Sequence, residues 1–265
     1  MHKEMSLFSV TCHKRPLIAL ACLFLFSSAS YCCAEEITVV ADRWCPFNCE
    51  PASPNPGILM EPAITALKEA GYTVHYEIVP WSRAISDTRS GKYDAIVGAA
   101  ESDAPDFIFP TVRGAHSSTE FWVKKGDNWK YTDTKSLKGR VIAVIQDYSY
   151  GEEVDGYIQE NLADPAAVQV ATGDEALQKN IAKLLLGRVS AVMEDRAVIL
   201  YTLDKMNKKN ELISAGKVKE QDLFVAFSPA KPRSKELAEI ISRYTKKQRE
   251  SGDEKQLLEK YGLFE

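Results

Sequence analysis

Acidic side chains follow two segments of this sequence that share one pattern. Gly91–Val97 comes after a helix-like stretch and leads to Glu101, and Gly187–Met193 comes after another and leads to Glu194 and Asp195. In each segment a glycine ends an amphipathic run, and a basic residue precedes a run typical of a buried parallel strand. Ligands of open α/β sheets bind at the carboxyl ends of strands. The pattern therefore predicts two α/β units that point these ends toward a shared crevice.

The first residues are typical of a signal peptide. Lys14 and Arg15 precede the apolar run Leu17–Phe26, and Cys32–Ala34 supplies small side chains where a signal peptidase cuts. We expect cleavage after Ala34 and export of the rest of the chain. A membrane anchor is the alternative, but ten apolar residues are too few for a bilayer, which needs about 20.

The composition of the remaining residues, 35–265, excludes some classes of partner. They carry 30 basic and 36 acidic side chains, a formal charge of −6 that opposes nucleic-acid binding. No apolar run among them approaches membrane length, so we expect a soluble protein. Its 231 residues suffice for one large or two medium lobes.

Two cysteines, Cys45 and Cys49, lie beyond the predicted cleavage point. Export to an oxidising compartment favours a disulfide between them, and Pro46 and Asn48 favour the turn that would bring them together. A redox role would more naturally use Cys-x-x-Cys, and a zinc site needs more ligands than lie nearby. His75 and His116 are far apart in sequence and do not indicate a metal pair.

Strand-like and helix-like runs alternate along the chain in two βαβ series, which predicts an α/β fold with mostly parallel sheets. The runs at Phe121–Lys124 and Leu223–Phe227 are the candidate crossings between the two units. We therefore predict a first lobe from residues 36–120 and 224–265 and a second lobe from residues 121–223. A double crossing of this kind can act as a hinge.

The order of these features resembles the polar-amino-acid type of bacterial periplasmic solute-binding proteins, solute-binding family 3, which has the type II periplasmic binding fold. The resemblance covers most of the exported chain. The segments that carry it are Asp42 with the aromatic-proline loop after it, Gly57, Val79–Ile85, Gly91–Ala99, Ser136–Val144, Ser251–Asp253 and Lys260–Leu263.

The resemblance implies that a ligand lies between two lobes joined by two hinge crossings. Matching positions in this sequence give the implied ligand contacts: Asp42, Trp44, Phe47, Ala99, Ala100, Glu101, Gln146, Asp147, Tyr148, Ser149 and Asp195. Asp195 matches the family's acidic residue for a ligand ammonium, although it could instead cap the helix that starts at Arg196. Trp81 and Arg83 either frame the mouth of the pocket or are a buried aromatic and a solvated arginine.

One departure from the family concerns the ligand's carboxylate. The family places an arginine a few residues after the first-lobe strand, but Glu101–Asp106 contains none. Either Arg83 or Arg113 replaces it, or the ligand is not an ordinary α-amino acid. A cationic or polyhydroxylated molecule would suit the acidic residues.

We expect a monomeric periplasmic protein that binds a small polar solute and delivers it to the permease of an ABC importer, without a cofactor or metal. The sequence has no Gly-x-Ser-x-Gly, His-Glu-x-x-His or glycine-rich phosphate motif, so we expect no enzyme. The fold leaves two alternatives open. One is a cyclohexadienyl-dehydratase-like enzyme with Glu101 as general acid, and the other is a ligand sensor for a membrane receptor.

Overall fold

The computed structural model describes residues 34–263, so residues 1–33 of the predicted signal peptide lie outside the described residues. The described chain forms eight strands and seven α-helices. In chain order they are β1 (Glu36–Ala41), α1 (Met60–Glu69), β2 (Thr73–Ile78), α2 (Trp81–Arg89), β3 (Ala95–Ala99), β4 (Ala115–Lys124), β5 (Ile142–Ile145), α3 (Glu152–Asn161), β6 (Val168–Ala171), α4 (Ala176–Leu185), β7 (Ala191–Asp195), α5 (Arg196–Lys205), β8 (Leu212–Phe227), α6 (Ser234–Ser251) and α7 (Asp253–Lys260).

The strands form one sheet in the order β2-β1-β3-β8-β4-β7-β5-β6. Strands β2, β1 and β3 are parallel to one another, and so are β7, β5 and β6. We call these sets the first half and the second half of the sheet. The long strands β8 and β4 lie between them and run antiparallel to each other and to their outer neighbours. This arrangement confirms the predicted α/β class with two parallel units joined by two crossing strands.

Both crossing strands extend beyond their sequence predictions. Strand β4 begins at Ala115 rather than Phe121, and β8 begins at Leu212 rather than Leu223. The added residues are largely polar and show no apolar alternation, so the sequence pattern does not indicate strand there. They form strand because the backbone N–H and C=O groups of the two segments bond to each other along the β4–β8 ladder. This ladder runs from Ala115 opposite Leu223 to Lys124 opposite Leu212.

The helices cover the sheet with their apolar faces. In α1 the buried residues Met60, Ala63 and Leu67 recur at helical spacing, and α4 buries Leu177, Ile181 and Leu184 in the same way. Within the described residues no helix combines the length and the apolar character that crossing a membrane requires.

The loop after β1 is held in a compact shape. Cys45 and Cys49 form the predicted disulfide, and the backbone N–H of Trp44 donates to the carbonyl of Asn48 at 2.9 Å. Gly57 lies against this loop with a φ of +117°, and a Cβ there would be 2.2 Å from the carbonyl oxygen of Phe47. Position 57 therefore requires glycine for both its backbone conformation and its close packing.

We predict that Gly57→Ala lowers the free energy of unfolding by about 3 kcal/mol, because the added methyl group collides with backbone that the disulfide restrains. Gly71→Ala is the matched control, since Gly71 also has a positive φ (+93°) but no atom within 4 Å of the added Cβ. It should cost only about 1 kcal/mol. Urea unfolding of both variants measures the difference, and equal losses would contradict the close packing.

Candidate functional site

A cavity of about 650 Å³ lies at the carboxyl ends of the parallel strands from both halves of the sheet. It is lined by segments at the ends of five strands and by residues of the helices α4 and α5. The segments are Asp42–Cys45 after β1, Ile78–Trp81 after β2, Ile145–Tyr148 after β5 and Thr172–Asp174 after β6, together with Glu194 near the end of β7. This is where open α/β sheets bind ligands.

One face of α5 completes the wall. Val198, Tyr201, Thr202, Lys205 and Met206 line the cavity, and their spacing of three and four residues places them on one side of a helix. Tyr201 contributes an aromatic surface, and Lys205 is exposed with its ammonium nitrogen 5.2 Å from the centre of that ring.

Polar side chains of the loop after β1 contact the second half of the sheet across the cavity. The hydroxyl of Tyr148 donates to Oδ2 of Asp42 at 2.5 Å, and the indole Nε1 of Trp44 donates to Oε1 of Glu194 at 2.9 Å. Nη1 of Arg43 lies 3.8 Å from Oδ2 of Asp174. Three consecutive residues of one loop therefore join the two halves.

The rest of the loop fixes the positions of Asp42 and Trp44. The amide of Asn48 donates to the carbonyl oxygen of Asp42 at 2.6 Å, and the ring of Phe47 packs on that of Trp44 with 4.6 Å between ring centres. Gly98 allows the loop to approach β3, since a Cβ there would lie 3.0 Å from Oδ1 of Asn48. These contacts hold the cavity-facing groups on a rigid support.

Glu194 is the most deeply buried acid of the cavity wall, with 2% of its surface exposed. Its Oε1 accepts hydrogen bonds from Trp44 and from the backbone N–H of Asp195 at 2.8 Å. Its Oε2 has no hydrogen-bond partner among the described residues. Burial raises the pKa of this carboxyl to about 8, against the hydrogen bonds from Trp44 and Asp195 that favour its charged form.

The neighbouring groups have raised pKa values as well. Burial raises the pKa of Asp42, opposed by the hydrogen bond from Tyr148, and it raises that of the Tyr148 hydroxyl well above its ordinary value. The tyrosine therefore stays a neutral donor at physiological pH. Two carboxyl groups with weakened acidity thus face one cavity, an arrangement common at functional sites.

The fold is shared with solved structures of binding proteins. A protein of the GshT and TcyBC system for glutathione import in Streptococcus mutans is 17% identical, with a TM-score of 0.69 over 86% of this chain and 95% of that chain. The ancestral amino acid-binding protein AncCDT-1, a precursor of cyclohexadienyl dehydratase, is 18% identical, with a TM-score of 0.64 over 85% of this chain and 95% of that chain.

A histidine kinase sensor domain with similarity to periplasmic binding proteins is 16% identical, with a TM-score of 0.67 over 86% of this chain and 96% of that chain. This chain has the type II periplasmic binding fold. The sequence itself matches no protein-family model and no curated protein. At these identities the similarity establishes the fold, while an importer component, a sensor and an enzyme precursor all share it.

Within this fold, six of the sequence-predicted site residues line the cavity: Asp42, Trp44, Trp81, Gln146, Asp147 and Tyr148. The other predicted residues lie outside the lining. Phe47 is buried beneath Trp44, Ala99 is buried in β3, and Arg83 and Glu101 are exposed. Ligand contact by any of these residues stays a prediction.

Asp195 occupies the position of a helix cap. Its Oδ1 accepts from the backbone N–H groups of Ala197 at 2.7 Å and Val198 at 3.2 Å, at the start of α5. Its Oδ2 accepts from the hydroxyl of Ser117 and the N–H of Ser118 on β4. Both oxygens are thus engaged within the protein, which agrees with the capping alternative, and Glu194 faces the cavity in its place.

Two predicted ligand contacts, Ser149 and Ala100, are likewise hydrogen-bonded to carboxylates of this chain. The hydroxyl of Ser149 donates to Oδ2 of Asp155 at 2.7 Å, and α3 begins three residues later, at Glu152. The N–H of Ala100 donates to Oδ2 of Asp103 at 2.8 Å. Both groups therefore already have hydrogen-bond partners within the protein.

Several residues that line the cavity were not predicted from the sequence. Glu194 was not predicted as a ligand contact, although the alternation of side chains along β7 could have identified it. Val192 and Met193 pack into different core clusters on opposite faces of the strand, so Glu194 lies on the same face as Val192. Tyr201 and Lys205 could have been found from the helical spacing of α5. The described residues contain no cluster of three or more His, Cys, Asp or Glu suited to a metal ion.

We predict that Glu194→Gln changes the pH dependence of stability. The unfolded glutamate loses its proton near its ordinary pKa of 4.5, whereas the folded one keeps it to about 8. Between these values, raising the pH favours the unfolded state by about 1.4 kcal/mol per pH unit through this group. Glutamine removes that slope, so the variant should gain stability over the parent from pH 5.5 to 7.5. Unfolding in denaturant at several pH values measures this, and a constant difference would contradict the buried, protonated carboxyl.

Proposed function

We propose that this protein binds a small polar solute in the cavity between the two halves of its sheet and delivers it, as a monomer in the periplasm, to the permease of an ABC importer. The observation that carries the proposal is the cavity itself. Its wall comes from the carboxyl ends of strands in both halves, and its aromatic and carboxyl groups converge on one space.

The two crossing strands supply a mechanism for binding. Each half has its own parallel strands, and β4 and β8 are the extended segments between them. We take residues 36–120 with 224–265, and residues 121–223, as the two lobes that rotate about these strands. A solute that contacts both lobes only when they are closed favours the closed arrangement by the free energy of the extra contacts.

The polar groups on the cavity wall are suited to a solute that replaces an internal contact. In the structure Asp42 pairs with Tyr148 and Glu194 with Trp44. A ligand could donate hydrogen bonds to these carboxyls and stack on Trp44 or Trp81, because all of these groups already face the cavity. Micromolar affinity corresponds to about 8 kcal/mol, which a few charge-assisted hydrogen bonds and one aromatic contact can supply.

The importer step draws its support from the predicted signal peptide and from the similarity to the S. mutans import protein. Sensing through a membrane receptor is the corresponding alternative, and the histidine kinase sensor domain has the same fold. Recovery of a permease or a receptor after cross-linking in cells would separate these two roles.

A second candidate function is catalysis, and Glu194 is the observation that favours it. A buried carboxyl with a pKa near 8 is protonated at neutral pH and can act as a general acid toward a substrate in the cavity. Glu101, the acid considered from the sequence, is exposed and outside the cavity lining. If NMR shows that a bound compound is converted, the protein is an enzyme. If the compound stays unchanged, the proposed carrier function is retained.

We predict that Trp81→Ala weakens solute binding at least tenfold while leaving the fold intact, because it removes an aromatic wall of the cavity. Tyr93→Ala is the matched control. Both side chains are partly buried against the same core cluster, but only Trp81 lines the cavity. A thermal-shift screen of amino acids, amines, sugars and organic acids gives the ligand-induced rise in Tm for each protein. An equal rise in Trp81→Ala and the parent would place the site elsewhere, and no rise with any compound would contradict solute binding.

A further inference from the structure

The cavity wall is poor in positive charge. Among the described residues Arg43 and Lys205 are the basic side chains that line it. The guanidinium of Arg43 is paired with Glu50 and lies near Asp174. Lys205 is exposed and lies over the ring of Tyr201. Arg43 therefore presents no unpaired guanidinium fork, which is the strongest way to bind a ligand carboxylate, and Lys205 has only a single ammonium group.

Arg83 and Arg113, the two arginines that could replace the family's carboxylate-binding arginine, do not line the cavity. Arg83 is exposed and outside the cavity lining. Arg113 also lies outside the lining, and its Nε is 3.6 Å from Oδ1 of Asp222. In the segment where the resemblance places an arginine, the carboxylate of Asp103 instead accepts from the backbone of Ala100. A ligand carboxylate would therefore enter a cavity whose deep groups are acids, at a cost in free energy.

The acidic groups of the wall, in contrast, can accept more hydrogen bonds. Oε2 of Glu194 is buried and has no partner among the described residues, while Oε1 is held in place by Trp44 and the backbone of Asp195. When Glu194 is ionised, this buried acceptor without a partner is costly, so a ligand that supplies a donor offsets the cost. Asp42 adds a second carboxyl to the same wall.

The surrounding rings favour a positively charged donor over a neutral one. Trp44, Trp81, Tyr148 and Tyr201 all line the cavity. Aromatic faces attract cations, most strongly when water is excluded. A hydroxyl group could also donate to Glu194, but it would lack the attraction of a full positive charge to these rings and to Asp42.

We propose that the solute is an organic ammonium ion without a carboxylate, whose ammonium group donates a hydrogen bond to Oε2 of Glu194. This inference rests on the proposed solute-binding function and names the class of ligand. It differs from amino-acid recognition, which needs a positive group for the carboxylate as well as an acid for the ammonium.

Calorimetry with three matched pairs tests the ligand class: agmatine with arginine, putrescine with ornithine, and cadaverine with lysine. Each pair differs only in the α-carboxylate. We expect the compound without the carboxylate to bind at least tenfold more tightly in each pair that binds. Equal or tighter binding of the amino acids would overturn the inference but leave solute binding intact. The inference would also be overturned, with solute binding intact, if none of the six compounds bound while a sugar or an organic acid bound in the thermal-shift screen.

Glu194→Gln tests the residue that we assign to the ammonium. We expect it to weaken amine binding at least a hundredfold, whereas Glu160→Gln, at an exposed carboxyl on α3 outside the cavity lining, should leave the affinity unchanged. Circular dichroism checks that both variants are folded. A folded Glu194→Gln protein with the affinity of the parent would overturn the assignment.

Proton release provides a test that needs no variant. A cation at Glu194 requires the charged carboxylate, so amine binding at pH 7 should release close to one proton, and affinity should rise up to tenfold per pH unit from pH 6 toward 8. Asp42, Asp195, Tyr148 and Tyr150 are the titratable groups that interact with Glu194. Both tyrosines stay neutral in this range. Calorimetry of putrescine, or of the tightest amine, in buffers of different ionisation enthalpy counts the protons, and binding with no proton release would overturn the inference.

Discussion

The hydrogen bond from Trp44 to Glu194 connects the two parallel units of this protein at the point where a ligand would lie. It joins the loop after β1 to the end of β7, across a separation of 150 residues in the chain. Because Glu194 is buried, the donor from Trp44 opposes part of the cost of burying its carboxyl. The protonation state of Glu194 therefore depends on the relative position of the two halves.

The loop that carries Trp44 is built to maintain this contact. A disulfide closes it, Asn48 holds the backbone of Asp42, and Gly57 lets the following segment pack against it. The second half presents Tyr148 and Glu194 from the ends of two adjacent parallel strands, β5 and β7. Compact elements thus hold both sides of the cavity. In the proposed mechanism the strands between the halves bend, and binding shifts the population of closed molecules without distorting either side.

Much of this architecture could be predicted from the sequence, because it follows from local patterns. The helix α5 begins at Arg196, where its sequence indicates, and the β-branched runs mark the buried parallel strands. The polar halves of β4 and β8 could not be predicted in this way. Residues such as Ser118 and Glu220 show no apolar alternation, and only their pairing with each other makes them strand. Long-range pairing of this kind leaves no local signal.

The candidate site likewise contains residues that could be predicted from the sequence and residues that could not. Asp42, Trp44 and Tyr148 follow strand ends, a position that a sequence pattern can identify. Asp195 matched the expected position, yet the backbone N–H groups of α5 and the serines of β4 use both of its oxygens. Which of two adjacent acids faces the cavity depends on the face of β7 and on the neighbouring strand, and the motif alone does not specify that.

The central claim is that the two halves close on a solute, and a distance measurement tests it most directly. Spin labels at Ser82→Cys on α2 and Lys179→Cys on α4 occupy exposed positions beside the cavity, one on each half. The distance distribution would be recorded by electron–electron double resonance with and without each compound that raises Tm. The account predicts a shorter and narrower distribution when the compound is bound. The same distribution in both states would contradict closure and, with it, the transport proposal.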